Sequence, residues 1–230
     1  MPLSFGIIHV EGLRPEGIAT AQQTALPGGD DQVTTRVDVD PNWAHTAYRK
    51  YNVTHESTLR LEGRYRNEPI NEVIEVHHFD LYASKVSDMV IARAPKKLLR
   101  EALNRLHKQD HHPFNYHVDE LDMTKLGGAL GAPIAGGWFG QLKIARVRTV
   151  GIFGADVADS EEWDHYRQSG TLQAIIVELE FDDNPLQLML VRDSTIVLYR
   201  DLGEVANLAF INQIQTAISD ALRAGEEQDS

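Results

Sequence analysis

The amino-acid sequence predicts an α+β protein made of two antiparallel β-meanders, each followed by an amphipathic helix. Three observations carry this expectation. From Thr171 to Arg223 the chain alternates apolar and polar residues over short runs, turns twice, and then changes to a spacing of three and four. A similar plan runs from Thr58 to Lys108. Leu59, Glu62, Tyr65 and Pro69 match Ile175, Glu178, Phe181 and Pro185 at one constant offset, which points to an internal duplication.

The later meander is the better defined. Val177, Leu179 and Phe181 fall on one face of a strand, with Glu178 and Glu180 on the other. Asp182 to Pro185 reads as a turn, Leu186 to Val191 as a second strand, Arg192 to Ser194 as another turn, and Thr195 to Tyr199 as a third strand. In the helix that follows, Val205, Leu208, Ile211, Ile214, Ile218 and Leu222 form the buried stripe, and Gly225 is the expected C-terminal cap. No charge occurs between Glu204 and Asp220. A helix face that meets only water usually carries charge, so the amide-rich face, with Asn207, Asn212, Gln215 and Ser219, is a candidate protein interface.

The earlier meander contains a hairpin, Val73 to Tyr82 and then Met89 to Ala92, and a helix from Pro95 to Lys108. Leu98, Leu99, Ala102, Leu103 and Leu106 form its inner stripe. Arg93, Lys96, Lys97, Arg100, Arg105 and Lys108 stand against a single Glu101, a local excess of +5 in a chain of net charge −12. Arg60 and Arg64 lie on the strand of the same unit. Cations at a helix N-terminus oppose the macrodipole, so a role other than helix stability is expected for them. These residues are candidates for binding an anionic partner. That partner is either an acidic protein surface, such as a neighbouring copy's Asp156 to Asp164, or nucleic acid, for which Tyr65 and Tyr82 supply the nearby aromatics.

The rest of the chain completes five segments. Residues 1–57 are expected to pack on the first unit, with a strand over Phe5–Val10, a long loop from Glu11 to Gln32, a strand over Thr35–Val39, and a short helix opened by Asp40-Pro41. Residues 58–108 are the first unit and 138–225 the second; 109–137 is a His- and Gly-rich connector and 226–230 an unstructured tail. Gln141 to Phe153 reads as one long strand with a bulge near Ala145. Asp159 to Gln168 reads as a helix with a capping box of Asp159 and Glu162.

Composition bounds the chemistry. A hydrophobic fraction of 42% and a charged fraction of 24% belong to a folded protein. With no Cys, disulfides, thiolate catalysis and Cys-ligated metals are excluded. The net charge of −12 argues against wholesale coating of nucleic acid or anionic lipid. No secretory pattern follows Met1, so the cytoplasm is the expected compartment, and the charge-free run Leu126–Leu142 is too short and too glycine-rich to span a membrane.

His107, His111, His112 and His117, with Asp119 and Asp122, offer imidazole and carboxylate ligands from one segment, at a spacing that matches no zinc signature. His77 and His78 are neighbours on a strand and face opposite sides. Gly127 to Gly137 lacks both phosphate-cradle patterns and reads as a hinge or a close-packing segment. There is no Gly-x-Ser-x-Gly elbow, and His55-Glu56-Ser57, a His-x-Ser pair, has no second copy. The expected function is therefore a non-enzymatic binding or assembly module, without a cofactor, that self-associates or docks a protein through the C-terminal and basic helices. Nucleic-acid binding by residues 93–108 and a metal-dependent hydrolase on the His-rich loop are the alternatives.

Overall fold

The apolar run near the N-terminus forms β1 (Leu3–Glu11), whose residues Phe5, Ile7, Ile8 and Val10 are buried. A computed structural model of the chain describes residues 2–13, 17–24, 32–66, 68–108, 114–144 and 146–228. For 17–24, 32, 65, 68–71, 127–129 and 220–228 it describes the backbone alone. The chain divides into two compact units, residues 5–118 and residues 1–4 with 119–230.

In the first unit, β1 is followed by β2 (Gly17–Thr24), β3 (Gln32–Val39), β4 (Tyr48–Tyr65), β5 (Glu68–Ser84), β6 (Met89–Arg93), α1 (Lys96–His107) and β7 (Asn115–His117). The strands pair antiparallel in the order β2-β3-β4-β5-β6-β1, and β7 also pairs with β1. Leu99, Ala102, Leu103 and Leu106 of α1 pack on a core of Ile8, Tyr51, Val53, Phe79, Leu81 and Val90. Each buried leucine contributes about 1.5–3 kcal/mol. Gly6 lets the helix come close, since a Cβ there would lie 2.6 Å from Leu99 Cδ2.

Three expectations for this unit are corrected. The segment read as a loop from Glu11 to Gln32 contains β2, which pairs with β3 from Gly17↔Asp38 to Thr24↔Gln32. Asp40-Pro41 opens no helix. The Asp40 carboxylate accepts the Asn42 N–H at 2.9 Å in an Asx turn, and the Asp40 N–H donates to the Lys50 carbonyl at 2.9 Å. The pairing of β3 with β4 outcompetes the local cap. Finally, β4 starts at Tyr48 rather than Thr58, and with β5 it makes a long ribbon broken by a bulge between Arg60 and Gly63.

In the second unit come α2 (Met123–Ala129), β8 (Ile134–Gly140), β9 (Thr149–Phe153), a 3₁₀ turn (Val157–Asp159), α3 (Glu161–Ser169), β10 (Thr171–Phe181), β11 (Asn184–Val191), β12 (Thr195–Leu198) and α4 (Glu204–Gln228). The antiparallel order is β12-β11-β10-β8-β9. Leu208, Phe210, Ile211, Ile214 and Ile218 are the buried face of α4, and α2 packs on α4 and β10.

The glycine-rich part of the connector contains a helix and the start of a strand. Asp122 caps α2 by accepting the Thr124 and Lys125 N–H groups, and Gly136, Gly137 and Gly140 lie within β8. Glycine suits β8 because rings lie directly on the strand: a Cβ on Gly137 would sit 2.6 Å from the Trp163 ring, and one on Gly136 2.7 Å from Phe153. The predicted long strand Gln141–Phe153 is a turn followed by β9. Gln141 and Arg146 have φ of 52° and 68°, and the Val147 N–H donates to Ile144. The reversal before β11 falls on Asp182 and Asp183, both left-handed, so Asn184 and Pro185 are already in the strand. Ser160, not Asp159, caps α3 by accepting the Trp163 N–H at 3.2 Å. Val205 leaves the buried stripe, and α4 runs through Gly225 to Gln228 instead of ending at a glycine cap. Among the described residues no helix is long and apolar enough to cross a membrane.

Candidate functional site

The stripe that buries α1 fixes what its other side presents. Lys96, Lys97, Arg100, Glu101 and Lys108 are exposed, and Arg93 is half-buried at the end of β6. Lys97 and Glu101 approach to 3.8 Å, one turn apart, a contact of small energy at such exposure. Arg105 does not belong to this face. It turns inward, and its Nη1 donates to the Thr34 carbonyl at 2.8 Å, the Glu56 carbonyl at 2.6 Å and Thr35 Oγ1 at 3.2 Å. Burial lowers the Arg105 pKa, with Glu56 and Glu101 opposing that shift.

The inward guanidinium meets a buried histidine. His55 is fully buried on β4, and its Nδ1 accepts from Thr35 Oγ1 at 2.7 Å and from Arg105 Nη1 at 3.4 Å. A guanidinium can only donate, so Nδ1 is the acceptor and the ring proton sits on Nε2. That Nε2 is buried and has no partner among the described residues. Burial, then the Arg105 charge, then His77, lower the His55 pKa to about 4, with Glu56 opposing. The ring is neutral at pH 7. Of His55-Glu56-Ser57, His55 is thus a core residue, and Glu56 and Ser57 are half-buried beside it. Ser57 Oγ instead meets His77 Nε2 at 3.0 Å, while His78 lies on the opposite face near Thr54.

The two strand arginines do not extend the basic face together. Arg60 pairs with Glu72 and Arg64 with Pro69 across the ribbon. Those partners are three residues apart on β5, so the bulge sends the arginines to opposite faces. Tyr82, expected as a stacking platform, is buried; the Tyr65 side chain lies outside the described residues.

The expected histidine cluster is divided. His107 Nδ1 donates to the Phe114 carbonyl at 2.9 Å, behind the end of α1. His111 and His112 lie outside the described residues. Asp119 is exposed, and its carbonyl accepts the Ser194 hydroxyl at 2.7 Å. His117 stacks on His9, with ring centroids 4.7 Å apart and planes 9° from parallel. His9 Nδ1 in turn lies 3.0 Å from Asp88 Oδ1, a hydrogen bond that holds the Asp88 carboxyl below its ordinary pKa. The sequence reading missed His9 and Asp88. The one available signal was a lone imidazole inside the apolar run Ile7–Val10.

The second unit presents the opposite charge. Asp156, Asp159, Glu161, Glu162 and Asp164 around the start of α3 are all exposed. Acids at a helix N-terminus are favoured by the macrodipole, so this cluster helps its own helix. Behind it, Met123, Ile134, Trp163 and Leu172, with Asp159 and Arg167, line an open depression of about 440 Å³. Arg167 faces Asp164 at 3.4 Å.

On α4 the four interface candidates separate. Asn207 is buried; its Oδ1 accepts the Leu202 N–H at 3.1 Å, and its Nδ2 donates to Asp201 at 2.8 Å, closing the turn before the helix. Asn212 and Gln215 are half-buried, and Ser219 is exposed. The outward strip consists of Val205, Ala209, Gln213, Thr216 and Ser219.

With this geometry established, comparison with known proteins finds that no family model matches the chain and no curated protein matches it.

Proposed function

We propose that the protein is a non-enzymatic assembly module in which one copy docks on another through oppositely charged faces. The observation that carries this reading is the segregation of exposed charge. Lys96, Lys97, Arg100 and Lys108 stand outward on α1, and Asp156, Asp159, Glu161, Glu162 and Asp164 stand outward around the start of α3. The basic face of one copy complements the acidic face of the next. A contact between two different patches is heterologous, so it builds a ring or an open filament rather than a closed pair.

Two further features support a protein partner. The β4–β5 ribbon exposes apolar residues on both faces. Leu59 and Leu61 are each 40% exposed, Ile74 41% and Val76 53%, and Ile74 pairs with Thr58 while Leu59 pairs with Val73. A two-stranded ribbon gains little stability alone, and apolar side chains on both sides are best satisfied by a partner. The outward strip of α4 is also uncharged, with Val205 56% exposed. In the same reading the two units descend from one, since β4-β5-β6-α1 and β10-β11-β12-α4 are each a three-stranded antiparallel meander followed by a helix.

The test is light scattering on the eluting protein at low and high salt. The expected result is an oligomer at low salt that dissociates as salt screens the faces. Lys97→Glu with Arg100→Glu should abolish it, and mixing that variant with Glu161→Lys/Glu162→Lys should restore association between the two. A monomer at high concentration and low salt would overturn the reading. A complex that absorbs as nucleic acid and dissolves on the same lysine and arginine substitutions would transfer the basic face to that ligand.

A further inference from the structure

We propose that His9 and His117 form a binding site for a divalent transition-metal ion of the zinc, nickel or copper kind. The site is built by strand register rather than by spacing in sequence. His9 and His117 are direct cross-strand partners on β1 and β7. Cross-strand partners share a face of the sheet, so both imidazoles project to the same side. A ring nitrogen of each lies within 4.8 Å of the other. Imidazole nitrogens bind zinc at about 2.0–2.1 Å, so a single ion would be shared by a turn of the exposed His117 ring toward His9. The His9 side chain is 27% exposed and His117 is exposed, so an ion can reach them.

Asp88 makes the pair more than two adjacent rings. Its carboxylate lies 3.0 Å from His9 Nδ1, and its backbone carbonyl accepts the Val10 N–H at 2.9 Å, which ties the acid to the strand carrying His9. A carboxylate that accepts the Nδ1 proton fixes the tautomer and the ring orientation, with Nε2 as the metal ligand. Two imidazoles and no thiolate suit zinc, nickel or copper(II) over magnesium or calcium. Water or a further oxygen ligand completes the coordination. This inference stands apart from the charged-face reading, because none of its residues lies on α1 or α3.

The experiment is calorimetric titration of the metal-stripped full chain with zinc chloride and with nickel chloride. About one ion per chain is expected, with affinity weakened at least tenfold by His9→Ala and by His117→Ala. Asp88→Asn, which keeps both ligands, should weaken binding by about 10–100-fold. His107→Ala should leave it unchanged. Absence of binding at millimolar metal, or binding that survives both His9→Ala and His117→Ala, would overturn the proposal. So would binding lost only on replacing His111 and His112. If the alanine variants fail to fold, electron paramagnetic resonance of copper(II) on the wild-type chain decides. Coordination by two equivalent imidazole nitrogens supports the site, and a spectrum without nitrogen coupling contradicts it.

Discussion

Arg105 of α1 reaches the backbone of β4, donating to the Glu56 carbonyl at 2.6 Å. The same nitrogen donates to the Thr34 carbonyl on β3. One side chain thus joins the helix to two adjacent strands and satisfies a carbonyl on each. Arg105→Met keeps much of the volume and removes the donors. It should destabilise the protein by about 2–4 kcal/mol, read as a lower urea midpoint at unchanged slope. Arg100→Met, on the exposed side of the same helix, should change stability by less than about 0.5 kcal/mol.

The neighbouring His55 gives the protein a pH-dependent stability. Its pKa is about 4 in the folded state against an ordinary 6.5, so the unfolded chain takes up a proton first. The contribution of the neutral ring is complete above pH 6.5 and is lost as pH falls from 6.5 to 4. Between pH 7 and pH 4.5 the loss should be about 2–3 kcal/mol. In His55→Gln this part of the slope should be missing. Urea unfolding of both proteins at the two pH values measures the difference.

Ser160 provides the N-cap that the sequence pattern assigned to Asp159. Ser160→Ala should cost about 1 kcal/mol, whereas Asp159→Ala should cost less than about 0.5 kcal/mol. Thermal unfolding of the two variants ranks them, and the reverse order would contradict the observed cap.

That one-residue displacement shows what local pattern can and cannot specify. The strand β11 and the helices α1 and α4 were legible because one face of each is buried, and β10 and β12 because of their short β-branched apolar runs, which are buried on both faces. Asp40-Pro41 was misread because its decisive partner, Lys50, lies on β4, and Gly127 to Gly137 was legible as a close-packing segment but not as helix and strand, because the Trp163 and Phe153 rings it packs against are distant in sequence. The inner face of β4 was hidden for a related reason. Its inward residues include His55, whose burial depends on Thr35 and on Arg105, 50 positions away. The candidate site divides in the same manner. The exposed lysines on α1 follow from its stripe, but Arg105 and Asn207 sit on helix faces that read as outward and are held inward by hydrogen bonds, Arg105 to Thr34 and Glu56 and Asn207 to Asp201 and Leu202. His9 and His117 meet only through the pairing of β1 with β7, which no local pattern encodes.

The assembly reading stands or falls on whether the exposed charges of α1 and α3 recognise each other between copies. The most direct measurement is the molar mass of the full chain by light scattering, at low and high salt, for the wild type and for Lys97→Glu/Arg100→Glu. The account predicts a wild-type mass above that of one chain at low salt, falling to one chain at high salt, with the variant at one chain throughout. A wild type that keeps the mass of one chain at low salt and high concentration would contradict it.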